Sequence, residues 1–186
     1  MDKRRVTFIG GREGDWDVVS AMTIKGEPLA TSPRLARIEG AAFTRTNGAT
    51  WFLDGVRSNE RYTDSAEKQK LARIQPPLDR DDATLGALIP IKKSDAWWGL
   101  AQDERRHMFE ERSRHIAIGM MFLPAIARRL YHCRDLGGDF DFLTWFEYAP
   151  HHAARFDELL TQLRSIPEWA FVDREVEIRV RRVANR

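Results

Sequence analysis

Residues 92–147 read KKSDAWWGLAQDERRHMFEERSRHIAIGMMFLPAIARRLYHCRDLGGDFDFLTWFE, and this stretch decides the fold. Ser94 or Asp95 is placed to cap a long helix, which we predict to run to about Gly119. Two strands follow at residues 126–134 and 140–148, joined by a loop whose glycines permit a tight turn. The stretch therefore predicts one long helix followed by a β-hairpin.

The composition is that of an ordinary globular chain. Its 186 residues are 42% hydrophobic and 31% charged, with a net charge of +2. These values indicate one domain or two small fused units and no strong attraction to nucleic acid. The one cysteine, Cys133, excludes an intrachain disulfide. Residues 1–11 lack the apolar core that a signal peptide has, and the sequence contains no apolar run of ~20 residues. We therefore expect a cytoplasmic protein without a membrane partner.

Strand and helix signals flank the central stretch on both sides. Pro150 begins a helix with an apolar stripe, and residues 169–181 alternate as a half-buried strand with Glu175 and Glu177 facing outward. From residue 50 the order is β-α-β, a helix, then β-β-α-β, as in a duplicated ferredoxin-like unit. On the N-terminal side we predict strands at residues 5–9, 16–25, 34–39, 51–56 and 84–91, with a short helix from Ser65.

His115 and Glu168 are candidate site residues with more than one interpretation. His115 lies near the predicted helix end, where a cation is stabilised by the helix dipole. A histidine at that position can also point into a cleft between helix and sheet. Glu168 follows Pro167 at the start of a predicted strand, where a polar residue is ordinary. On the residues alone, both interpretations stay open.

Arg128 lies in the first strand of the hairpin. It shares one strand face with Leu130 and His132, whereas the neighbouring Arg129 points to the other face. We expect Arg129 to pair with one of the hairpin's own carboxylates, Asp141 or Glu147. A guanidinium on the face of Arg128 could instead hold an anion, because it stays charged at every physiological pH.

An ordered set of short segments resembles one family, the chlorite dismutases in their short-chain, dimeric form, over about residues 50–182. The segments are Ser58-Asn59-Glu60-Arg61-Tyr62, Trp97-Trp98, Glu104-Arg105, Met108-Phe109, Ser113 to His115, Arg128 to His132, Phe140 to Glu147, Glu168-Trp169 and Val172 to Glu175. The resemblance implies a ferredoxin-like, dimeric α+β barrel of antiparallel strands. One compact domain would contain a shortened N-terminal unit, residues 1–92, and a haem-binding unit, residues 93–186.

The resemblance also implies a haem b cofactor and residues that hold it. His115 would be the axial ligand of the iron, with Glu168 and Lys93 completing a hydrogen-bond network behind it. Arg128 would be a mobile arginine above the other face of the haem, hydrogen-bonded by Gln75. The other cofactor-binding residues that the resemblance implies are Trp97, Trp98, Tyr62, Asn59, Leu130, Thr144 and Phe146.

The activity implied by the resemblance is the conversion of chlorite to chloride and dioxygen. One oxygen atom passes to the iron and leaves hypochlorite, which Arg128 retains until the O–O bond forms. Two alternatives stay open: a coproheme decarboxylase-like enzyme, against which Arg128 and the short chain argue, and a haem-binding dimer without turnover. The expected partners are the small anion chlorite and a second copy of the chain.

Overall fold

The computed structural model describes residues 4–40, 48–57 and 65–184. Within them, eight strands and five α-helices are present. The strands are β1 (Arg5–Gly11), β2 (Trp16–Lys25), β3 (Arg34–Glu39), β4 (Ala49–Val56), β5 (Leu85–Lys93), β6 (Ile126–His132), β7 (Phe142–Tyr148) and β8 (Val172–Arg182). The helices are α1 (Ser65–Ile74), α2 (Asp95–Gly99), α3 (Gln102–Arg106), α4 (His115–Met121) and α5 (Ala153–Arg164).

The eight strands form one closed antiparallel sheet in the order β1-β3-β2-β8-β5-β7-β6-β4. Read around the circle, β4-β1-β3-β2 and β8-β5-β7-β6 repeat the same internal order. β2 and β8 pair from Trp16↔Arg182 to Lys25↔Glu175. Among the described residues, β4 and β6 share one pair, Val56↔His132. The predicted mixed α+β protein with an antiparallel barrel is confirmed. The proposed unit boundary after residue 92 falls inside β5.

Aromatic side chains fill the inside of the barrel. Phe8 lies between the strands with its ring 5.6 Å from Trp145, and Trp145 meets Trp16 edge-on at 5.1 Å. Each such ring removes a large apolar area from water, which makes it a main source of stability. Gly10 has no side chain because an added Cβ would lie 2.1 Å from the Trp51 indole. The interior of the barrel is thus a core of packed side chains.

The second half of the sheet is covered on its outer face by helices. Phe156 of α5 is fully buried, with its ring 5.1 Å from Phe146 and 4.5 Å from Tyr148 of β7. Leu159 and Leu160 complete the buried stripe that the sequence predicted. In the described part of the chain, no helix connects strands of the first half. None of the described helices is long and apolar enough to cross a bilayer.

The predicted single long helix from residue 94 or 95 to about 119 is wrong. The chain leaves the helix at Leu100, where ψ is 144°, and restarts as α3. A π-helical turn at His107–Arg112 follows, and Arg114 then adopts a left-handed conformation with φ of 53°. His115 is the first residue of α4. A cation is disfavoured at that end of a helix, so the helix-dipole explanation of His115 is also wrong.

β8 also differs from its prediction as a half-buried strand. Glu175 and Glu177, expected on a solvated face, are only 3% and 1% exposed because α5 covers them. Arg164 of α5 lies 2.6 Å from each carboxylate, and Arg179 donates to Glu177 at 2.5 Å. Buried charges persist when they are paired in this way. Both faces of β8 are therefore buried over residues 175–178.

Candidate functional site

A large cleft lies between the outer face of the sheet and the helices. The empty space within it, including the part that is open to solvent, is about 1470 Å³. Its walls are mainly apolar. The sheet contributes Ile89, Ile91, Leu130, Thr144 and Phe146, and the helices contribute Leu71, Ile116, Leu160 and Leu163.

His115 lines this cleft and is held from behind. Its Nδ1 lies 2.8 Å from Oε2 of Glu168, and its ring stacks on Phe109 with 4.3 Å between centroids. Because Nδ1 is engaged by a carboxylate, Nε2 is the ring nitrogen that remains to bind a ligand. Stacking and hydrogen bonding together fix the plane of the imidazole. The structure therefore brings together His115 and Glu168, which are 53 residues apart in the chain.

Glu168 is a buried carboxylate that contacts both His115 and Lys93. It is 5% exposed, its Oε1 accepts a hydrogen bond from Lys93, and its backbone N–H donates to Oγ of Ser113 at 2.9 Å. Burial alone would raise the pKa of Glu168, but the charges and hydrogen bonds of His115 and Lys93 outweigh burial and lower this pKa to about 2. The carboxyl is therefore ionised throughout the physiological range.

Two further residues anchor the 3₁₀ segment Pro167–Phe171 that carries Glu168. Nε1 of Trp169 donates to Glu175 at 2.7 Å, and Glu175 also accepts two hydrogen bonds from Arg164, at 2.9 and 2.6 Å. The side chains of Arg164, Trp169 and Glu175 all line the cleft. Sequence reasoning missed Arg164 because its partners lie on another element and leave no local pattern.

Glu110 is the second residue that sequence reasoning missed. Its carboxylate accepts hydrogen bonds from the backbone N–H groups of Ile116 and Ala117, at 2.7 and 3.3 Å. It thereby caps the first turn of α4, the turn on which His115 lies. The spacing of six and seven residues is outside the usual capping box, so a motif search would pass over it.

Arg128 lines the same cleft from the sheet. It lines the cleft together with Leu130 and His132, as the strand alternation predicted. Its Nη1 would be 3.6 Å from a Cβ added to Gly119, so the guanidinium lies against α4. The side chain of Gln75 donates to the backbone carbonyl of Arg128. Gln75 therefore hydrogen-bonds Arg128 at the main chain of the arginine.

The expected pairing of Arg129 with Asp141 or Glu147 is wrong. Asp141 Oδ2 instead accepts from Nε1 of Trp98 at 3.1 Å, and Glu147 accepts from Nε1 of Trp145 at 2.7 Å. Arg129 lines the cleft beside Arg128. The two carboxylates are thus already used within the sheet and are not available to it.

The paired tryptophans have different environments. Trp97 lines the cleft and is 1% exposed, with Nζ of Lys93 4.8 Å from the centre of its ring. Trp98 lies outside the cleft lining, stacked 6.0 Å from Phe142, with the guanidinium of Arg134 3.9 Å from its ring. Phe142 separates Trp98 from the cleft space. The two remaining candidates, Tyr62 and Asn59, lie outside the described residues.

The fold and the cleft define an α+β barrel protein with a histidine-lined ligand site between sheet and helices. The sequence model of the chlorite dismutase family matches residues 5–183, and the chain belongs to that family. A chlorite dismutase from Ideonella dechloratans is 35% identical over 81 residues, which is 44% of this chain and 26% of that protein. The chain thus matches about a quarter of this relative's length.

Solved structures extend the comparison. A dimeric chlorite dismutase from Nitrobacter winogradskyi is 49% identical, covers 95% of this chain and 99% of its own, and superimposes with a TM-score of 0.89. Chlorite dismutase from Candidatus Nitrospira defluvii in complex with imidazole is 26% identical, over 72% of this chain and 55% of its own, with a TM-score of 0.58. A mutant of the same protein in complex with cyanide is 18% identical to this chain and has a TM-score of 0.71. The match covers 98% of this chain and 92% of the mutant, and at this identity it supports the fold alone.

Proposed function

We propose that this protein is a haem b-dependent enzyme that converts chlorite to chloride and dioxygen. The observation that carries the proposal is the placing of His115, backed by Glu168, and of Arg128 along one cleft in a chain of the chlorite dismutase family. Chlorite, one chlorine with two oxygens and one negative charge, yields one chloride and one dioxygen, so no further reactant is required.

The residues of the cleft fit a haem. A neutral imidazole is a common axial ligand of haem iron, and the only His115 nitrogen left for this task is Nε2. The apolar walls of the cleft suit a flat macrocycle. When bound, the iron would supply the redox chemistry that takes one oxygen atom from chlorite and joins it to the oxygen of the remaining hypochlorite, so that dioxygen and chloride leave. Trp97, Leu130, Thr144 and Phe146 would contact the haem, and Trp98 would support its edge through Phe142.

Glu168 and Lys93 set the electronic character of His115. An ionised carboxylate that accepts from Nδ1–H makes the imidazole a stronger electron donor. Lys93 neutralises the remaining charge of Glu168 and keeps it stable in a buried position. We propose that this pair holds one tautomer of His115 and directs Nε2 into the cleft.

Arg128 is the residue that we propose handles the anions. Its guanidinium can bind chlorite on entry and retain the hypochlorite formed from it, since it attracts oxyanions without exchanging a proton. In a cleft with apolar walls this attraction is stronger than in water. Gln75, through the carbonyl of Arg128, fixes the main chain from which the mobile side chain starts.

The repeated strand order supports a wider architectural proposal. We infer that β1–β4 and β5–β8 are two ferredoxin-like units, of which the first has no helix between its strands in the residues that the structure describes. The Nitrobacter winogradskyi relative is described as dimeric, and we propose a homodimer here as well. We also propose that the protein acts in the cytoplasm on small anions. Tyr62 and Asn59 stay proposals as haem-propionate partners.

The direct test is dioxygen evolution on an oxygen electrode after haem is added to the purified protein. We expect chlorite to give about one dioxygen per chlorite consumed. Arg128→Ala should keep its haem, lose activity about tenfold and bleach sooner, because hypochlorite then escapes. Arg181→Ala is the matched control, since Arg181 is exposed on β8 and outside the cleft lining.

Two results would overturn the proposal. If the protein binds haem and evolves no dioxygen, the haem-binding dimer without turnover is the better description. If Arg128→Ala lasts for as many turnovers as the parent, retention of hypochlorite by Arg128 is wrong. His115→Ala should lose tight haem binding, which a visible-light titration measures, and unchanged affinity would remove His115 from the site.

A further inference from the structure

The cleft contains a second histidine, His132. Of the five histidines of the chain, all of which the structure describes, His115 and His132 line the cleft. His115 begins α4, whereas His132 is the last residue of β6 and belongs to the sheet. The proposed function gives a task to the first histidine and none to the second. An imidazole can donate a hydrogen bond and can carry a positive charge near neutral pH, so His132 is suited to contact an acidic group.

The pairing of β5, β7 and β6 fixes where His132 lies along the cleft. Cross-strand neighbours form three rows on the outer face of the sheet, which are Ile91, Phe142 and His132; Ile89, Thr144 and Leu130; and Ala87, Phe146 and Arg128. All of these residues except Ala87 line the cleft. Successive rows are two residues apart along each strand, so the first and third rows are ~14 Å apart. His132 and Arg128 therefore lie at opposite ends of the sheet wall.

The end of the cleft at His132 is polar. The His132 ring meets the ring of Phe142 edge-on, with 5.1 Å between centroids, and Phe142 stacks on Trp98 at 6.0 Å. The guanidinium of Arg134 lies 3.9 Å from the Trp98 ring. Asp141, the carboxylate beside Trp98, accepts a hydrogen bond from this tryptophan at 3.1 Å and lies 3.6 Å from Arg134. Because that carboxylate is engaged within this group, His132 can serve an acidic group of a ligand.

The end of the cleft at Arg128 is enclosed by apolar side chains. Arg128 and Phe146 also line a smaller cavity, whose other walls include Phe122, Ile126 and Leu159. Haem b carries its two carboxylates on one edge of the ring, and its other edges are apolar. An unpaired carboxylate is costly to bury, so the apolar end of the cleft favours the apolar edges of the ring. The proposed function also requires Arg128 for chlorite, and a carboxylate of the macrocycle bound there would occupy it.

We propose that His132 binds a carboxylate of the macrocycle by donating a hydrogen bond to it from the sheet. A hydrogen bond to an ionised carboxylate is short and strong, so it gives orientation as well as affinity. His132 would thus decide how the macrocycle is turned about the bond to His115, and it would keep the carboxylates away from Arg128. The inference rests on the proposed function in taking a porphyrin with carboxylate side chains as the ligand.

The test uses zinc protoporphyrin IX and its dimethyl ester, which differ in whether the two carboxyl groups are charged. Both are fluorescent and accept an imidazole ligand, and zinc has no redox chemistry of its own. Each is titrated into the haem-free full-length protein. We expect His132→Leu to weaken diacid binding about tenfold, a typical effect of one lost hydrogen bond to a charged group, and to leave diester binding unchanged. His132→Gln keeps an N–H donor and should recover part of the loss.

His151→Leu is the matched control, because His151 is exposed and lies outside the cleft lining. It should bind both porphyrins as the parent does. Equal weakening of diacid and diester binding by His132→Leu would overturn the proposal, because His132 would then contribute packing alone. The proposal is also overturned if His132→Leu binds the diacid normally while Arg128→Leu loses affinity for it, since the carboxylates would then lie at the other end. Neither iron nor chlorite takes part, so a failure of chlorite turnover would leave this outcome unaffected.

Discussion

At the scale of single residues, two histidine–carboxylate pairs with the same geometry differ in burial. His115 and Glu168, and likewise His107 and Glu111, are 2.8 Å apart. The first pair has side chains 21% and 6% exposed, whereas those of the second are 58% and 63% exposed. Water screens an exposed pair almost completely, so only the buried pair can control the chemistry of its imidazole.

Glu168→Gln tests this difference. The amide oxygen can still accept from Nδ1–H of His115, but the charge that strengthens the imidazole as a donor is lost. We expect haem to pass to apomyoglobin about 10- to 100-fold faster than from the parent, as for other partners of metal ligands. The matched change Glu111→Gln, in the exposed pair, should alter the transfer rate less than twofold. Equal effects of the two substitutions would contradict the role of burial.

The low pKa of Glu168 predicts how stability depends on pH. The folded-state pKa is about 2 against an ordinary value of 4.5, so the contribution of this carboxylate is fully present above pH 4.5. It is lost as the pH falls from about 4.5 through about 2. Glu168→Gln lacks this contribution at every pH. The free energy of unfolding in urea should therefore differ between the haem-free parent and Glu168→Gln by an amount that becomes smaller from pH 5 to pH 3. A difference that stays constant over this range would contradict the prediction.

The sequence revealed the residues whose signal is local or shared with a family. Strand alternation predicted that Arg128 and Leu130 share one face, and both residues line the cleft. Glu110 and Arg164 were missed because their partners are set by how α4, α5 and β8 pack. Contacts between distant elements leave no periodic pattern in a sequence.

At the scale of elements, the central helix shows what periodicity omits. The segment from Asp95 to Met121 has good helix formers, but side-chain caps create new helix starts within it. The Glu104 carboxylate accepts from the Ala101 N–H at 2.6 Å, and Glu110 does the same for Ile116 at 2.7 Å. Each cap competes with continuation of the preceding helix. The second break is what brings His115 to the start of α4.

Glu110→Ala tests the importance of that second cap, and Glu104→Ala is its matched control. Each substitution removes a carboxylate cap, which costs about 1 kcal/mol in the free energy of unfolding. Only Glu110 caps the turn that carries His115, so only Glu110→Ala should also weaken haem binding, by about tenfold. Urea unfolding and haem titration measure the two effects. Equal haem affinity in both variants would show that the cap serves stability alone.

At the scale of the whole molecule, closure of the sheet depends on pairings that no local signal announces. Trp16 pairs with Arg182, and Lys25 with Glu175, across most of the chain length. The strands themselves could be predicted, because β-branched and aromatic residues between turn signals are a local feature. Their order around the barrel could only be inferred by analogy with a duplicated unit. The second half, with its β-α-β-β-α-β order, supplied that analogy, whereas the first half has no comparable helices in the described residues.

The closed sheet predicts that residues 85–186 do not fold alone, although they contain the whole repeated unit β5–β8. Removal of the first half would leave β8 without β2 along most of its length and expose that edge to water and to other chains. We expect the fragment to aggregate or to unfold without a cooperative transition, and co-expression with residues 1–84 to restore a single transition and haem binding. Calorimetry shows whether the fragment, alone or co-expressed with residues 1–84, unfolds in a single transition, and a haem titration shows whether it binds haem. A lone fragment that unfolds cooperatively and binds haem would show that the second unit is an autonomous domain and that closure by β2 contributes little to the site.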